Sequence, residues 1–191
     1  MPLVKPSQIL RSLLFIFVLN LLFFPPSKIF AHEISGYVAG EIRLFPNDAL
    51  HSGQNRQSSS FFVQPEYYHE FETGSSFTFV PFFRLDNGDQ ERTHFDVREF
   101  TYLWLKEDFE LRVGVRKVFW GTTEILHLVD IINQNDQVEN IDTEDKLGQP
   151  MINVSFFRDW GTLDFFMMPF FRERTFQGTG GRLRGATPID E

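Results

Sequence analysis

Apolar and polar residues alternate along seven segments of the chain, at the two-residue period of a β-strand. Successive side chains of a strand point to opposite faces, so each segment is predicted to have one apolar face and one polar face. Short turns and longer polar connections separate the segments alternately, which favours an antiparallel meander. The predicted strands cover residues 33–45, 60–71, 76–85, 94–105, 109–119, 151–157 and 162–171.

The segment 109–119 has the sharpest alternation. Leu111 and Val113 lie on one face, whereas Glu110 and Arg112 lie on the other. The length of this segment suits a strand that crosses the hydrocarbon of a bilayer at a tilt. It is therefore the best single indication of a membrane-spanning strand.

The segment 94–105 breaks its own pattern at one position. Val97, Thr101 and Leu103 share the parity of an outward, apolar face, but Glu99 shares that parity too. An acidic side chain that faces lipid costs free energy. The pattern therefore predicts either a β-bulge that shifts the register near Glu99 or the opposite orientation of the strand.

The alternation of tight turns with long connections is typical of outer-membrane β-barrels. Phe accounts for 24 of the 191 residues, and aromatic residues are favoured in strands and at bilayer interfaces. We therefore predict an all-β fold, an antiparallel meander of about seven strands that is part of a transmembrane β-barrel. The alternative is a soluble periplasmic β-sandwich or a lipocalin-like binding protein, in which the Phe-rich faces form a core.

Several features disagree with a complete barrel. An odd number of strands does not close a bacterial single-chain barrel. Pro65 and Pro81 lie inside strand patterns, where each lacks the N–H that the ladder requires, and a barrel rim tolerates them best. Residues 172–191 are rich in Gly and Arg and have no strand pattern. We expect an N-terminal portion of a longer barrel; a small barrel with a poor last strand is the alternative.

The first 31 residues have the composition of a secretory signal peptide. Lys5 and Arg11 provide positive charge, an apolar stretch follows, and two Pro residues end that stretch before Ala31. The stretch is short for a membrane span, although an uncleaved anchor helix is the alternative. We predict a signal peptide over 1–31 that is cleaved after Ala31, and one incomplete barrel domain over 32–191.

Composition excludes several classes of function. The chain has a net charge of −8 and no Cys. The acidic balance argues against a nucleic-acid partner, which requires a basic stripe. Without Cys there is no disulfide framework, no thiol chemistry and no cysteine-ligated metal site.

Candidate catalytic and metal-binding patterns are weak. No His stands in an arrangement that suggests a catalytic triad, and the Gly-x-Ser-x-Gly motif is missing. His94 and Asp96 share a face, but a polar surface pair is the favoured interpretation. The acidic residues 136–145 lack the spacing of a calcium-binding loop. We therefore predict no enzyme activity, no catalytic residue, no metal site and no cofactor.

Charged residues collect at the polar positions of the predicted strands. In a barrel they would line the lumen, where rings of opposed charge set the field across a constriction. An ion-pair network that fills and rigidifies the interior is an equally good interpretation, and the two are compatible. The candidates for pore-lining residues are Glu66, Arg84, Asp96, Arg98, Glu110, Arg112, Arg116 and Asp164.

The long connection 120–150 is the candidate for a loop that folds into the lumen and narrows it. Connections of this length are usually functional or disordered. An apolar stretch within this one favours packing over disorder. Its candidate constriction residues are Trp120, Asp130, Asn133 and Asp136.

Short motifs follow one another between residues 95 and 147. They are Asp96-Val97-Arg98-Glu99-Phe100, Leu103, Arg112-Val113-Gly114, Arg116, Trp120-Gly121, Asp130-Ile131-Ile132-Asn133 and Asp136. This series resembles a porin-like outer-membrane family of Gram-negative bacteria, whose function is unassigned and which is similar in appearance to alginate-export barrels. Gln134 replaces the Pro of that family's pattern, and Val115 replaces its second Arg. The resemblance implies a large barrel with a pore, but no particular substrate.

These features together predict a porin-like channel in the outer membrane that passes or exports small polar solutes. The expected partners are outer-membrane lipid, the solute and the barrel-assembly machinery. With a periplasmic N-terminus, the turns near residues 72, 106 and 158 would be periplasmic. The longer loops would then be extracellular.

Overall fold

The computed structural model describes residues 31–119, 131–142, 144–187 and 189. Within these residues the chain forms one seven-stranded antiparallel sheet, in which each strand pairs with its neighbours in sequence. This confirms the predicted all-β meander. The strands are β1 (Ala31–Leu44), β2 (Gln57–Glu70), β3 (Ser76–Asp86), β4 (His94–Leu105), β5 (Phe109–Arg116), β6 (Gln149–Arg158) and β7 (Gly161–Met167). The signal peptide predicted over 1–31 lies, except for Ala31, outside the described residues.

Two predicted strands extend three or four residues too far at their C-terminal ends. β5 ends at Arg116 because the next amides leave the ladder, and the Val118 N–H is donated to the side-chain oxygen of Asn133 at 2.8 Å. β7 ends at Met167, two residues before Pro169, which has no N–H to continue a ladder. The sheet is therefore shorter at these two positions than the apolar alternation suggests.

The connections differ between the two ends of the sheet. One end carries the turns 71–75, 106–108 and 159–160, and we call it the short-turn end. The other end carries the connections 45–56, 87–93 and 117–148, and we call it the long-connection end. The turns close with backbone hydrogen bonds, such as that from the Lys106 N–H to the Phe109 carbonyl oxygen at 2.9 Å.

A β-bulge in β4 resolves the irregular pattern near Glu99. Val80 pairs with Glu99 and Pro81 pairs with Val97, so Arg98 is an extra residue between the two pairs. After the bulge the parity of β4 is reversed. The predicted outward orientation of Thr101 and Leu103 is therefore wrong, because both lie on the same side as Glu99. The outward positions there belong to Phe100, Tyr102 and Trp104.

The two Pro residues in the strands lie opposite each other. Direct pairing of β2 with β3 stops after Val63 and resumes at Tyr67 in an unchanged register, which leaves Pro65 facing Pro81. Neither residue has an N–H, so placing them together confines the loss of ladder hydrogen bonds to one site. The sheet therefore accommodates both residues inside strands.

Gly114 allows a close backbone approach between β4 and β5. Its φ is +134°, a conformation that L side chains rarely adopt, and a Cβ there would lie 1.9 Å from the Phe100 carbonyl oxygen. Only Gly fits such a position. It is thus a geometric requirement for the pairing of these two strands.

The sheet has one apolar and one polar face, and the polar face is the buried one. Among the described residues, six apolar side chains are buried, against eighteen polar or charged ones. The apolar face is left open, which inverts the arrangement of a water-soluble protein. Its exposed side chains are Ile34, Val38, Ile42, Phe61, Phe83, Leu85, Phe95, Phe100, Tyr102, Trp104, Val113, Leu163, Phe165 and Met167.

Candidate functional site: the polar face of the sheet

All eight predicted pore-lining residues lie on the polar face. Cross-strand pairs bring several of them beside other polar groups, as where Arg112 pairs with Asn153 and Asp164 with Ser155. Arg98 lies on this face with Asp96, two residues earlier, and the bulge places Glu99 on it as well. The structure separates the eight into a buried group on β3 and β4, a second group on β5 and β7, and the solvent-exposed Glu66 on β2.

A segment of the long connection covers the first group. We call residues 131–142 and 144–148 the covering segment. Asn133 anchors it: its side-chain nitrogen donates hydrogen bonds to the carbonyl oxygens of Arg116 and Leu147, both at 2.9 Å. Of the four predicted constriction residues, Asn133 and Asp136 lie in this segment. Trp120 and Asp130 lie outside the described residues.

Glu139 of the covering segment pairs with Arg84 of β3. The guanidinium donates two hydrogen bonds to the carboxylate, at 2.9 Å and 2.6 Å, and a third to the Ser60 hydroxyl at 2.8 Å. The Phe62 ring lies below it, with its centroid 4.0 Å from the guanidinium carbon. Two-pronged pairs of this kind fix the orientation of both partners.

Asp136 makes the second contact, with Arg98 of β4. Its carboxylate accepts a hydrogen bond from Arg98 at 2.5 Å and another from the Thr175 hydroxyl at 2.7 Å. Both charged side chains are almost fully buried. Burial alone would raise the pKa of Asp136, but the Arg98 charge and these hydrogen bonds lower it below its ordinary value. The carboxylate is therefore charged at neutral pH.

The chain beyond β7 makes a third contact with the polar face. Arg172 donates a hydrogen bond to Asp96 at 2.5 Å and another to the Gly148 carbonyl oxygen at 2.8 Å. Farther along, the Gly178 N–H is donated to Asp89, 3.0 Å away in the connection before β4. Burial raises the pKa of Asp89 above its ordinary value. The polar face is thus covered from two separate parts of the chain.

The second group lies on β5 and β7, where Glu110 is buried and Arg112 and Arg116 are partly exposed. Glu110 and Arg112 form an ion pair, and Arg116 donates a hydrogen bond to the Asn153 side chain at 2.7 Å. Asp164 accepts a hydrogen bond from the Ser155 hydroxyl at 2.5 Å and is itself exposed. These charges have partners along the sheet, and those of Arg112, Arg116 and Asp164 keep some exposure on the polar side.

Sequence reasoning missed several partners in the buried group. Glu41 of β1 lies near both Arg84 and Arg92, with nitrogen–oxygen distances of 3.4 Å. Arg92 also contacts Asp86 at 3.0 Å. Glu41 could have been found from the sequence, because it lies at a polar position of the alternating pattern in β1. Arg92 lies in a connection, where alternation carries no information.

His94 does not pair with Asp96 as its position suggested. Its Nε2 lies 3.5 Å from Glu139, and its Nδ1 lies 3.2 Å from the Arg92 carbonyl oxygen. Within the described residues, His, Asp and Glu form no group of three that could hold a metal ion. The acidic residues Asp136 and Glu139 instead neutralise arginines.

No helix in the described part of the chain is both long and apolar enough to span a membrane. Comparisons with protein-family models, with curated proteins and with solved structures give no match for this chain.

Proposed function

We propose that the protein is a porin-like channel of the outer membrane, which passes or exports small polar solutes. The sheet would form part of a transmembrane β-barrel, with its apolar face towards lipid and its polar face towards the lumen. The observation that carries this proposal is the inverted burial of the sheet: charged side chains are buried, and large apolar side chains are exposed. Lipid-facing and lumen-facing residues alternate in this way in outer-membrane barrels.

Aromatic side chains at the short-turn end support the proposed membrane position. Trp104 lies on the apolar face near the end of β4, with the Lys106 ammonium 5.5 Å from its ring centroid. Phe156 and Arg158 repeat this arrangement on β6 at 5.7 Å. Aromatic rings with neighbouring cations are typical of the interface between hydrocarbon and headgroups.

The open edges of the sheet support a larger barrel. Within the described residues, β1 pairs only with β2, and β7 pairs only with β6. Unpaired backbone groups at a sheet edge are not tolerated in hydrocarbon. The proposal therefore includes further strands that close the barrel between β7 and β1.

In the proposed pore, the covering segment narrows the lumen at the long-connection end. The solute would then meet the more exposed charges of Arg112 and Asp164. Opposed charges along a narrow pore select solutes by charge and size. No catalytic residue takes part.

The alternative to a membrane channel is a soluble β-sandwich. It requires a second layer over the apolar face, and the described residues place none there. Envelope fractionation separates the two functions. We expect the native protein to leave the envelope only with detergent; release by osmotic shock alone would refute the membrane position.

An Arg on the apolar face provides a sharper test. Val113 lies in the middle of β5 and is 40% exposed, so Val113→Arg should cost little in water. In lipid, an Arg near the midplane costs about 2–4 kcal/mol. We expect this variant to insert poorly into lipid vesicles, measured as the folded fraction after refolding.

The matched control for that test is Ile131→Arg. Ile131 lies in the covering segment and is 80% exposed, outside the proposed membrane-spanning strands. We expect it to insert as the unmodified protein does. Equal insertion of the two variants would contradict a lipid-facing Val113.

A further inference from the structure

Two imidazole rings lie directly opposite each other where β1 begins and β2 ends. His32 and His69 are register partners, and their ring centroids are 4.4 Å apart. Side chains of cross-strand partners are close enough to share one ligand. The pair lies at the short-turn end, far from the buried charges of the polar face.

The surroundings of this pair contain a second signal. The Nδ1 atom of His69 is buried but has no hydrogen-bond partner. A buried polar atom without a partner requires an explanation, and an absent ion is one such explanation. The Tyr67 hydroxyl oxygen lies 3.1 Å from the Nδ1 atom of His32 and adds a polar oxygen to the same place.

We propose that His32 and His69 form a binding site for Cu²⁺, completed by the α-amino group of His32 when the chain is cleaved after Ala31. Imidazole and amine nitrogens suit Cu²⁺, which binds such sites more tightly than the other divalent first-row metals do. An α-amino group has a pKa near 7.7–8.0, so copper can displace its proton close to neutral pH. The amine ligand requires cleavage after Ala31 during secretion, and therefore rests on the proposed function. The two imidazole ligands do not require this cleavage.

Binding requires the rings to move. Their planes are now only 18° apart, in a stacked arrangement, whereas a metal lies in the plane of each imidazole that binds it. His32 is exposed at the start of β1, so its ring can turn towards His69. Copper on the Nδ1 atom of His32 would replace the contact with Tyr67 and leave the hydroxyl beside the metal.

The test is a titration of the purified mature protein with Cu²⁺, after mass spectrometry has identified its first residue. Electron paramagnetic resonance then reports the coordinated nitrogens. We expect one copper ion per chain with nitrogen ligands, and loss of one nitrogen with weaker binding in His69→Ala. The control His51→Ala, in a surface connection, should bind copper normally.

A second variant tests the amine. A chain whose α-amino group is acetylated keeps both imidazoles but has no free amine at His32, and it should lose one coordinated nitrogen. Unchanged coordination in this chain, unchanged binding in His69→Ala, or no stoichiometric binding overturns the site. Copper binding is measured on the purified protein and requires no transport. A failure of the channel proposal would therefore not change the outcome of this titration.

Discussion

The contact between Asp136 and Arg98 offers a direct test of how the covering segment is held. Their side chains are 1% and 6% exposed, and the nitrogen–oxygen distance is 2.5 Å. Asp136→Asn keeps the size of the side chain but leaves the Arg98 charge buried with a weaker partner. Removing one partner of a buried ion pair costs about 3–5 kcal/mol. Because Asp96 still lies 3.4 Å from Arg98, we expect the lower end of this range.

Hydrogen exchange measures this cost where it occurs. The N–H of Asp136 is donated to Asp145 and that of Leu147 to Gln134, at 2.8 Å and 2.9 Å, so both amides report on the covering segment. A loss of about 3 kcal/mol corresponds to exchange faster by a factor on the order of 100, if these amides exchange by local opening. The amides of β2 should keep their protection, because the segment can open without the sheet.

The matched control is the surface pair of Arg56 and Asp48, whose side chains are 65% and 91% exposed. Exposed pairs contribute about 0–1 kcal/mol, so Asp48→Asn should leave the covering segment unchanged. If Asp136→Asn accelerates exchange no more than Asp48→Asn, the ion pair does not hold the segment. A double variant with Arg98→Met and Asp136→Leu should recover part of the protection, since it leaves no unpaired buried charge.

Three further predictions concern pH, strand pairing and selectivity. The folded pKa of Asp136 lies below its ordinary value of 3.8, so its stabilising contribution is complete above that pH and is lost as the pH falls through the folded pKa. Pepsin should then cleave the covering segment only below about pH 4. Cleavage that begins at about pH 5 would contradict this. Gly114→Ala should lower the free energy of unfolding in urea by about 2 kcal/mol or more. Gly40→Ala should leave it nearly unchanged, because the nearest atom to the new Cβ would be 3.9 Å away. In planar bilayers, Arg112→Ala should shift the reversal potential towards cation selectivity and Arg56→Ala should not; equal shifts would place Arg112 outside the pore.

The strands could be predicted from the sequence because their signal is local. A two-residue alternation ended by Gly or charged turns requires no knowledge of distant residues, and this was sufficient for the order of all seven strands. The bulge at Arg98 was visible only as a conflict at Glu99. Alternation detects that a register has shifted, but the partner strand decides which residue is extra.

The partners of the buried charges could not be predicted in the same way. Arg84 and Glu139 are 55 residues apart, and no periodicity links a strand to a connection. Charge alone does not select a partner either, because the covering segment contains several acidic residues. Asp136 was identified as a candidate from its place in a long loop, while its pairing with Arg98 follows from packing.

The distribution of paired charges bears on where the proposed pore would select its solute. At the long-connection end, Arg84 and Arg98 are each bound to an acid of the covering segment, so their fields are largely cancelled there. On β5, Arg116 instead donates a hydrogen bond to the neutral amide of Asn153, and its acidic neighbours Glu99 and Asp164 belong to strands of the sheet. A solute on the polar side would therefore meet, on β5, charges that the covering segment does not neutralise. Selection by charge would then depend on the barrel wall more than on the covering segment.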